Sequence, residues 1–389
     1  MRRLFPLVAA VIMLDTMFYA AITPLLPEYA DDLDLSKTAA GVLTASYAAG
    51  TLIAALPSGF LAARIGSRQA MLVGLALIAV SSVAFAFAES VAVLDVARFA
   101  EGVGGACAWT GGLTWLMTAA SAERRGEIIG AALAAAIFGI LLGPVLGGIA
   151  TVTGPEVVFC AVAALAAGLG LRVFTTPGLP APGAPPVRRV VAAIATRPVL
   201  FAGWLVALPA ILSGTFNVLV PLRMDELGAT GLAIGAAFLI AAGIEAFTAP
   251  VIGRLSDRRG RGTPIRAGLL AAAICALVLP VPESAVLVAV ALVAVVLAMS
   301  LIWTPAMALL SDNAEGAGLD LAFASAMVSF AWAAGQVAGG SGFGGIADAT
   351  SDAAAYGLVA ALLATTLAAY GGLDRLTRAA VASPERLNA

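Results

Sequence analysis

Apolar residues along this chain come in long blocks separated by brief polar stretches, and the pattern runs its whole length. A helix needs about 20 apolar residues to cross a bilayer. The blocks predict twelve such helices, over 4–26, 39–62, 70–88, 91–119, 126–151 and 156–174, then 199–221, 232–252, 264–281, 284–310, 319–346 and 352–372. The first has the outline of a cleavable leader, with Arg2 and Arg3 ahead of an apolar run. Asp15 interrupts that run and apolar character resumes beyond it, so it is read as a span. The expected class is an all-α membrane protein.

Charge placement orients the spans. With both termini inside, the inner loops and tails hold 18 basic residues and the outer loops only Lys37 and Arg223. By the positive-inside rule both termini are cytoplasmic. The stretch 175–198 differs in kind: it holds Pro177, Pro180, Pro182, Pro185 and Pro186, then Arg188 and Arg189. Proline at that density predicts a semi-rigid cytoplasmic linker. It divides the chain into residues 1–174 and 199–389, each with six spans, the second ending in a short tail.

The two parts repeat one another. Gly59-Phe-Leu-Ala-Ala-Arg-Ile-Gly66 returns as Gly253-Arg-Leu-Ser-Asp-Arg-Arg-Gly260, 194 residues on. Pro27 and Pro221 match at that offset, as do Trp109-Thr110 and Trp303-Thr304. Gly139 and Gly143 match Gly335 and Gly339 at an offset of 196. Parallel six-helix repeats are a transporter pattern, with cargo held near the midplane between the halves.

Composition narrows the chemistry. Hydrophobic residues make up 61% of the chain and charged ones 11%, against roughly a quarter charged in soluble domains. A soluble enzyme, a disordered chain and a basic nucleic-acid binder are excluded. There is no histidine, which removes His-based nucleophilic sites, metal sites and proton relays. Cys107, Cys160 and Cys275 stand far apart, so neither structural zinc nor a disulfide framework is expected. No metal or other cofactor is implied.

Three motifs resemble the major facilitator superfamily and, within it, the twelve-helix drug:proton antiporters. The loop between spans 2 and 3 is similar to the family's Gly-x-Leu-Ala-Asp-Arg-x-Gly-Arg through Gly59, Arg64, Gly66 and Arg68, with Ala63 where the family has Asp. The second copy, Gly253, Asp257, Arg258, Gly260 and Arg261, keeps the acid. In span 4, Arg98, Glu101 and Gly102 fill the family's Arg-x-x-Gln-Gly with Glu for Gln. In span 5, Gly130, Gly139, Gly143, Pro144, Gly147 and Gly148 meet every spacing of the antiporter motif. The resemblance implies two pseudo-symmetric six-helix bundles of the major facilitator fold, gating by the loop motifs, and export rather than uptake. It also implies a cavity lined by spans 1, 2, 4, 5, 7, 8, 10 and 11.

Asp15, Arg98, Glu101 and Glu245 lie well inside predicted spans. Each costs about 2.5–3.5 kcal/mol near a helix centre, so each must face a polar interior or another charge. Arg98 is permanently charged, and Glu101, three residues on, is its nearest counter-ion; Asp15 is the other candidate. A static ion pair that fixes packing is the plain alternative. Asp15 and Glu245 have no basic neighbour in sequence, and a carboxyl in apolar surroundings can hold a proton and release it when water enters. These four residues are the candidate proton-coupling set. Tyr19, Tyr47, Trp109, Phe216, Asn217, Trp303, Phe330 and Gln336 are candidates for the cavity wall, with Trp109 and Trp303 as opposing faces. For the aromatics, ordinary helix packing competes with that role.

The expected function is export of a small amphipathic or apolar compound in exchange for protons, by a monomer in the inner membrane of a bacterium. The partners are then the cargo, protons and lipid, with no nucleic acid. Proton-coupled uptake, or sugar efflux on the same fold, is the alternative.

Overall fold

The computed structural model describes residues 4–119, 125–179, 187–319 and 321–382. Among them there is no strand, and helices fill every predicted span. We number the membrane helices α1–α12. The first six are α1 Leu4–Ala21, α2 Lys37–Ile65, α3 Ser67–Ala86, α4 Val91–Ala119, α5 Arg125–Thr153 and α6 Pro155–Thr175. The second six are α7 Arg197–Glu226, α8 Gly231–Arg259, α9 Gly262–Val278, α10 Ala285–Gly316, α11 Leu321–Val337 and α12 Asp352–Ala382.

Nine spans among the described residues are long and apolar enough on length and hydropathy alone to cross a membrane. The other three positions have visible reasons to fall short. α4 carries Asp95, Arg98 and Glu101, α9 has only 17 residues, and α11 is interrupted. Large apolar side chains such as Val80, Phe247 and Val286 stand exposed on the outer surface. In water they would be a liability; facing acyl chains they are not.

Local sequence writes the helix ends, and it writes them twice. Ser36 caps α2 by accepting from the Ala39 amide, and Thr230 caps α8 by accepting from Ala233, each at 3.3 Å. Gly66 ends α2 at φ 94° and Gly260 ends α8 at φ 82°, a backbone region that L side chains rarely adopt. Both pairs repeat the 194-residue offset of the loop motif.

Two helices are broken. Pro24 lacks an amide proton, and α1 gives way to a 3-10 turn over Thr23–Leu25 and a short helix over Leu26–Asp32. α11 passes through a π-helical turn, Ala338–Phe343, into Gly344–Ala349. Glycines at 339, 340, 342, 344 and 345 make that stretch easy to rewind.

The glycines of the antiporter-like motif have one use in common. Gly139, Gly143 and Gly147 of α5 lie against α1, where a β-carbon would strike Thr16, Ala20 and the carbonyl of Ala21 respectively. Gly335 and Gly339 of α11 lie in the same way against the carbonyls of Ala207 and Ile211 in α7. Thus α5 fits on α1 as α11 fits on α7. Gly130 falls outside the described side chains. The bundles meet where α2 runs along α11 and α5 along α8. At the Lys37 end, Lys37 bridges to Asp352 at 2.7 Å and Thr38 donates to Asp348 at 2.7 Å. There Gly41 lies so close to Gly340 that a β-carbon would meet its carbonyl.

The stretch after α6 is not wholly irregular. Val187–Ile194 forms a short helix with Val190 and Ala193 buried and Arg188 exposed. A reading based on proline density passes over it. Pro180, Pro182, Pro185 and Pro186 lie outside the described residues, as do Arg2, Arg3, Arg124 and Arg386.

Candidate functional site

The buried charges are gathered in one place. Asp15 on α1, with Arg98 and Glu101 on α4, are each fully buried, at 0% exposure. α4 reaches this depth because it approaches its neighbours across glycine. A β-carbon on Gly102 would hit the carbonyl of Tyr47 in α2, and one on Gly74 of α3 would come within 2.5 Å of the carbonyl of Gly104. The one-turn spacing of Arg98 and Glu101 lets them pair, Nη1 to Oε2 at 2.9 Å. Arg98 also donates from Nη2 to the carbonyl of Tyr19, 3.1 Å away. That oxygen lies in the last turn of α1, where helix carbonyls lack internal partners, so the guanidinium caps the helix that Pro24 ends. The same guanidinium sits 5.7 Å from the ring centre of Tyr19 and 5.4 Å from that of Tyr47, within cation–π range.

Asp15 is held by two donors of other helices. The Tyr47 hydroxyl and the Trp109 Nε1–H both donate to its Oδ2, each at 3.0 Å. Its Oδ1 has no partner and faces Gly105, where a β-carbon would stand 2.6 Å from it. Glu101 Oε1 and Arg98 Nε are likewise buried without a partner. A buried polar atom left unpaired costs about 1–3 kcal/mol. Three such atoms gather in this one cluster.

Across the interface, Trp332 of α11 meets this cluster. Its ring lies 5.5 Å from that of Tyr19 and 6.4 Å from that of Tyr47, both edge-on. Tyr19 also lines a cavity of about 90 Å³ between the bundles, together with Thr23, Thr44, Pro144, Asn217 and Phe238. A larger hollow of about 470 Å³ is an open dish at the Lys37 end, lined by Lys37, Arg223, Asp348 and Asp352. None of its lining residues belongs to the buried cluster.

Of the predicted residues, Asp15, Arg98, Glu101, Tyr19, Tyr47 and Trp109 thus come together, and Asn217 joins them across the small cavity. The rest lie elsewhere. Glu245 is half-buried in α8 and accepts from Ser300 of α10 at 3.2 Å. Phe216 packs on Phe238 at 6.3 Å. Gln336 donates to Ser213 at 2.8 Å, joining α11 to α7. Trp303 packs into the core of the second bundle and Phe330 lies 38% exposed. The aromatic that opposes the buried cluster is therefore Trp332, not Trp303. Sequence reading also passed over Gly105 and Ser300.

The loop motifs act through their arginines. Arg68 donates to the carbonyls of Phe174 and Thr176 at 3.4 and 3.3 Å, at the end of α6. Arg261 pairs with Asp312 of α10 at 2.7 Å. Gly59 lies 3.5 Å from the Phe323 ring, measured from the place of a β-carbon, while Arg64 and Arg258 are exposed and Gly253 is half-buried. The side chain of Asp257 lies outside those described.

Known proteins share this architecture. The chain is similar to an MFS-type transporter, ppzB, of Metarhizium majus, 34% identical over 166 residues, 41% of this chain and 36% of that protein. It is similar to the probable vesicular acetylcholine transporter-B of Danio rerio, 34% identical over 184 residues, 45% and 37% of the two chains. The match thus spans little more than a third of the length of these relatives. Among solved structures, a bacterial homolog of the human lysosomal transporter Spinster, inward-facing and unoccupied, superposes with a TM-score of 0.75 at 15% identity, over 97% of this chain and 93% of that one. A D-xylose-proton symporter does so with a TM-score of 0.73 at 17% identity, over 93% and 96%. At such identity these superpositions establish the fold alone. The family model of the Major Facilitator Superfamily matches residues 8–340, and with its twelve helices in two repeated bundles the chain belongs to that superfamily of membrane transporters.

Proposed function

We propose that this transporter exports a small amphipathic, largely apolar compound in exchange for protons, by alternating access. Residues 1–174 and 199–389 rock as two bodies joined by the 175–198 linker. It works as a monomeric carrier, not an enzyme, in the inner membrane of a bacterium, with its termini in the cytoplasm. One observation carries this reading. Two carboxyls, Asp15 and Glu101, lie with one guanidinium in a fully buried cluster; Arg98 pairs with Glu101, Asp15 is held by Tyr47 and Trp109, and each acid keeps one oxygen unpaired. Arg98 cannot give up its charge, so a proton on either acid makes the cluster neutral and its loss leaves one net negative charge. Moving that proton down a 100 mV potential releases about 2.3 kcal/mol, enough to drive modest accumulation of cargo.

The aromatic surroundings, Tyr19, Tyr47, Trp109 and Trp332, favour cargo with a flat or apolar body. The vesicular acetylcholine and amine transporters to which the chain is similar make organic cations the first compounds to try. The antiporter-like glycines of α5 support export. The test is a tolerance panel in an efflux-deficient host, followed by everted vesicles loaded with a pH-sensitive dye and offered the active compound, ethidium serving as the first probe. Wild type releases protons when cargo is added under an imposed pH gradient, and Asp15→Asn does not. Transport indifferent to the gradient refutes the reading, and a growth advantage on one nutrient without altered tolerance favours uptake.

A further inference from the structure

The buried cluster has hydrogen-bonding capacity to spare. Asp15, Arg98 and Glu101 have no solvent exposure, yet Asp15 Oδ1, Arg98 Nε and Glu101 Oε1 are unpaired. Protein encloses them on every side. On three sides it is the first bundle itself: Trp109 and Gly105 of α4, Tyr47 of α2, and α1, which Thr16 ties to the Ala136 carbonyl of α5 at 3.1 Å. On the fourth side, toward the second bundle, Tyr19 and Tyr47 stand over the guanidinium, and the ring that closes against both is Trp332. Tyr19 has the inter-bundle cavity on its other flank, with Asn217 and Phe238.

We infer that Trp332 is a positioning residue for proton exchange: its ring, contributed by the second bundle, closes against Tyr19 and Tyr47 on the side of the Asp15–Arg98–Glu101 cluster that faces that bundle, and so prevents protons from crossing without cargo. The titratable and charged groups inside the seal are Asp15 and Tyr19 from α1, Tyr47 from α2, and Arg98 and Glu101 from α4. From α11 comes an indole that cannot titrate. With a non-ionising lid, access to the acids depends on whether the bundles are together, which is the coupling an exchanger needs. Cargo that parts Trp332 from Tyr19 admits water to Asp15, and re-closure excludes it. This inference rests on the proton-exchange reading above.

The experiment needs no cargo. Purified protein is placed in liposomes with a trapped pH-sensitive dye, the membrane potential is clamped with potassium and valinomycin, and a pH gradient is imposed. Wild type holds the gradient, and Trp332→Ala dissipates it severalfold faster. Trp332→Phe, which restores a ring, holds it like wild type. In Trp332→Ala combined with Asp15→Asn the leak disappears, because its path runs through the Asp15 carboxyl. A Trp332→Ala protein as tight as wild type overturns the inference, as does a leak that Asp15→Asn leaves unchanged. Should the alanine variant not fold, Trp332→Leu replaces it, with a leak expected and tightness refuting. The two readings fail separately. A wild type that moves no protons with cargo in everted vesicles overturns exchange itself, whereas one that does, beside a tight Trp332→Ala, overturns only the seal.

Discussion

The two bundles share a scaffold and differ in what they bury. In both, a glycine-lined helix nests on the first helix of its bundle, α5 on α1 and α11 on α7, and the second helix starts and stops on matching caps. The first bundle buries Asp15, Arg98 and Glu101 completely. In the second, α10 carries Leu292 and Val295 where the 194-residue offset places the matches of Arg98 and Glu101, and the embedded acid Glu245 is half-buried with a single hydroxyl partner. A repeated backbone does not oblige repeated chemistry. On the function proposed here, the first bundle holds the charge that changes, and the second supplies the surface against which that change is felt.

Substitutions probe this asymmetry, and the largest effects belong to the first bundle. Arg98→Ala removes the only cation of the cluster and the cap on the Tyr19 carbonyl. Breaking a buried ion pair from one side costs about 3–5 kcal/mol, so thermal stability in detergent falls sharply and transport is lost. Asp15→Asn keeps the shape and can still accept from Tyr47 and Trp109. Its stability stays near wild type while cargo-driven proton movement falls to background, a split that a merely structural Asp15 would not give. Gly105→Ala pushes a methyl toward Asp15 Oδ1, and overpacking of this kind costs about 1–3 kcal/mol. We expect a reduced exchange rate with a smaller loss of stability, measured on the same vesicles.

The second bundle responds less. Glu245→Gln can still accept from Ser300, so stability changes by less than about 1 kcal/mol in a melting assay. A large loss of exchange in that variant would place a second charge-bearing site in α8 and remove the asymmetry. The smallest effect lies at the Lys37 end. The Thr38 hydroxyl holds the exposed Asp348 carboxyl below the usual carboxylate range. Because the folded-state value is lowered, this contact stabilises the closed end at neutral pH and is lost as pH falls through that lowered value. Thr38→Ala should move the Asp348 titration back toward the ordinary range, read by NMR of labelled aspartate, and move the acid limb of stability slightly upward.

Much of this site was legible in one dimension because charge inside an apolar run is costly wherever it occurs. That cost alone singled out Asp15, Arg98 and Glu101, and the three-residue spacing of the last two gave their pairing. Trp332 and Gly105 carried no such mark. A tryptophan in an apolar helix is ordinary, and its meeting with Tyr19 depends on how α11 rotates against α2, which no periodicity encodes. Gly105 is one of 42 glycines, and only the position of the Asp15 carboxylate sets it apart. The same applies to Trp109 and Trp303: they match along the chain, yet the aromatic opposite the buried cluster is Trp332. The break in α11 was written in its glycine run, but a hydropathy window averages over it. The helix Val187–Ile194 was masked by the prolines before it.

The bridge from Lys37 to Asp352 has a practical consequence. Lys37 is the chain's only lysine, so apart from the N-terminus its ammonium is the one amine that an acylating reagent can modify. While α2 and α12 are held together that nitrogen is engaged by a carboxylate at 2.7 Å; in the proposed alternating-access cycle their parting would release it. On that proposed cycle, the acylation rate of Lys37 in intact membranes would report how often this end opens.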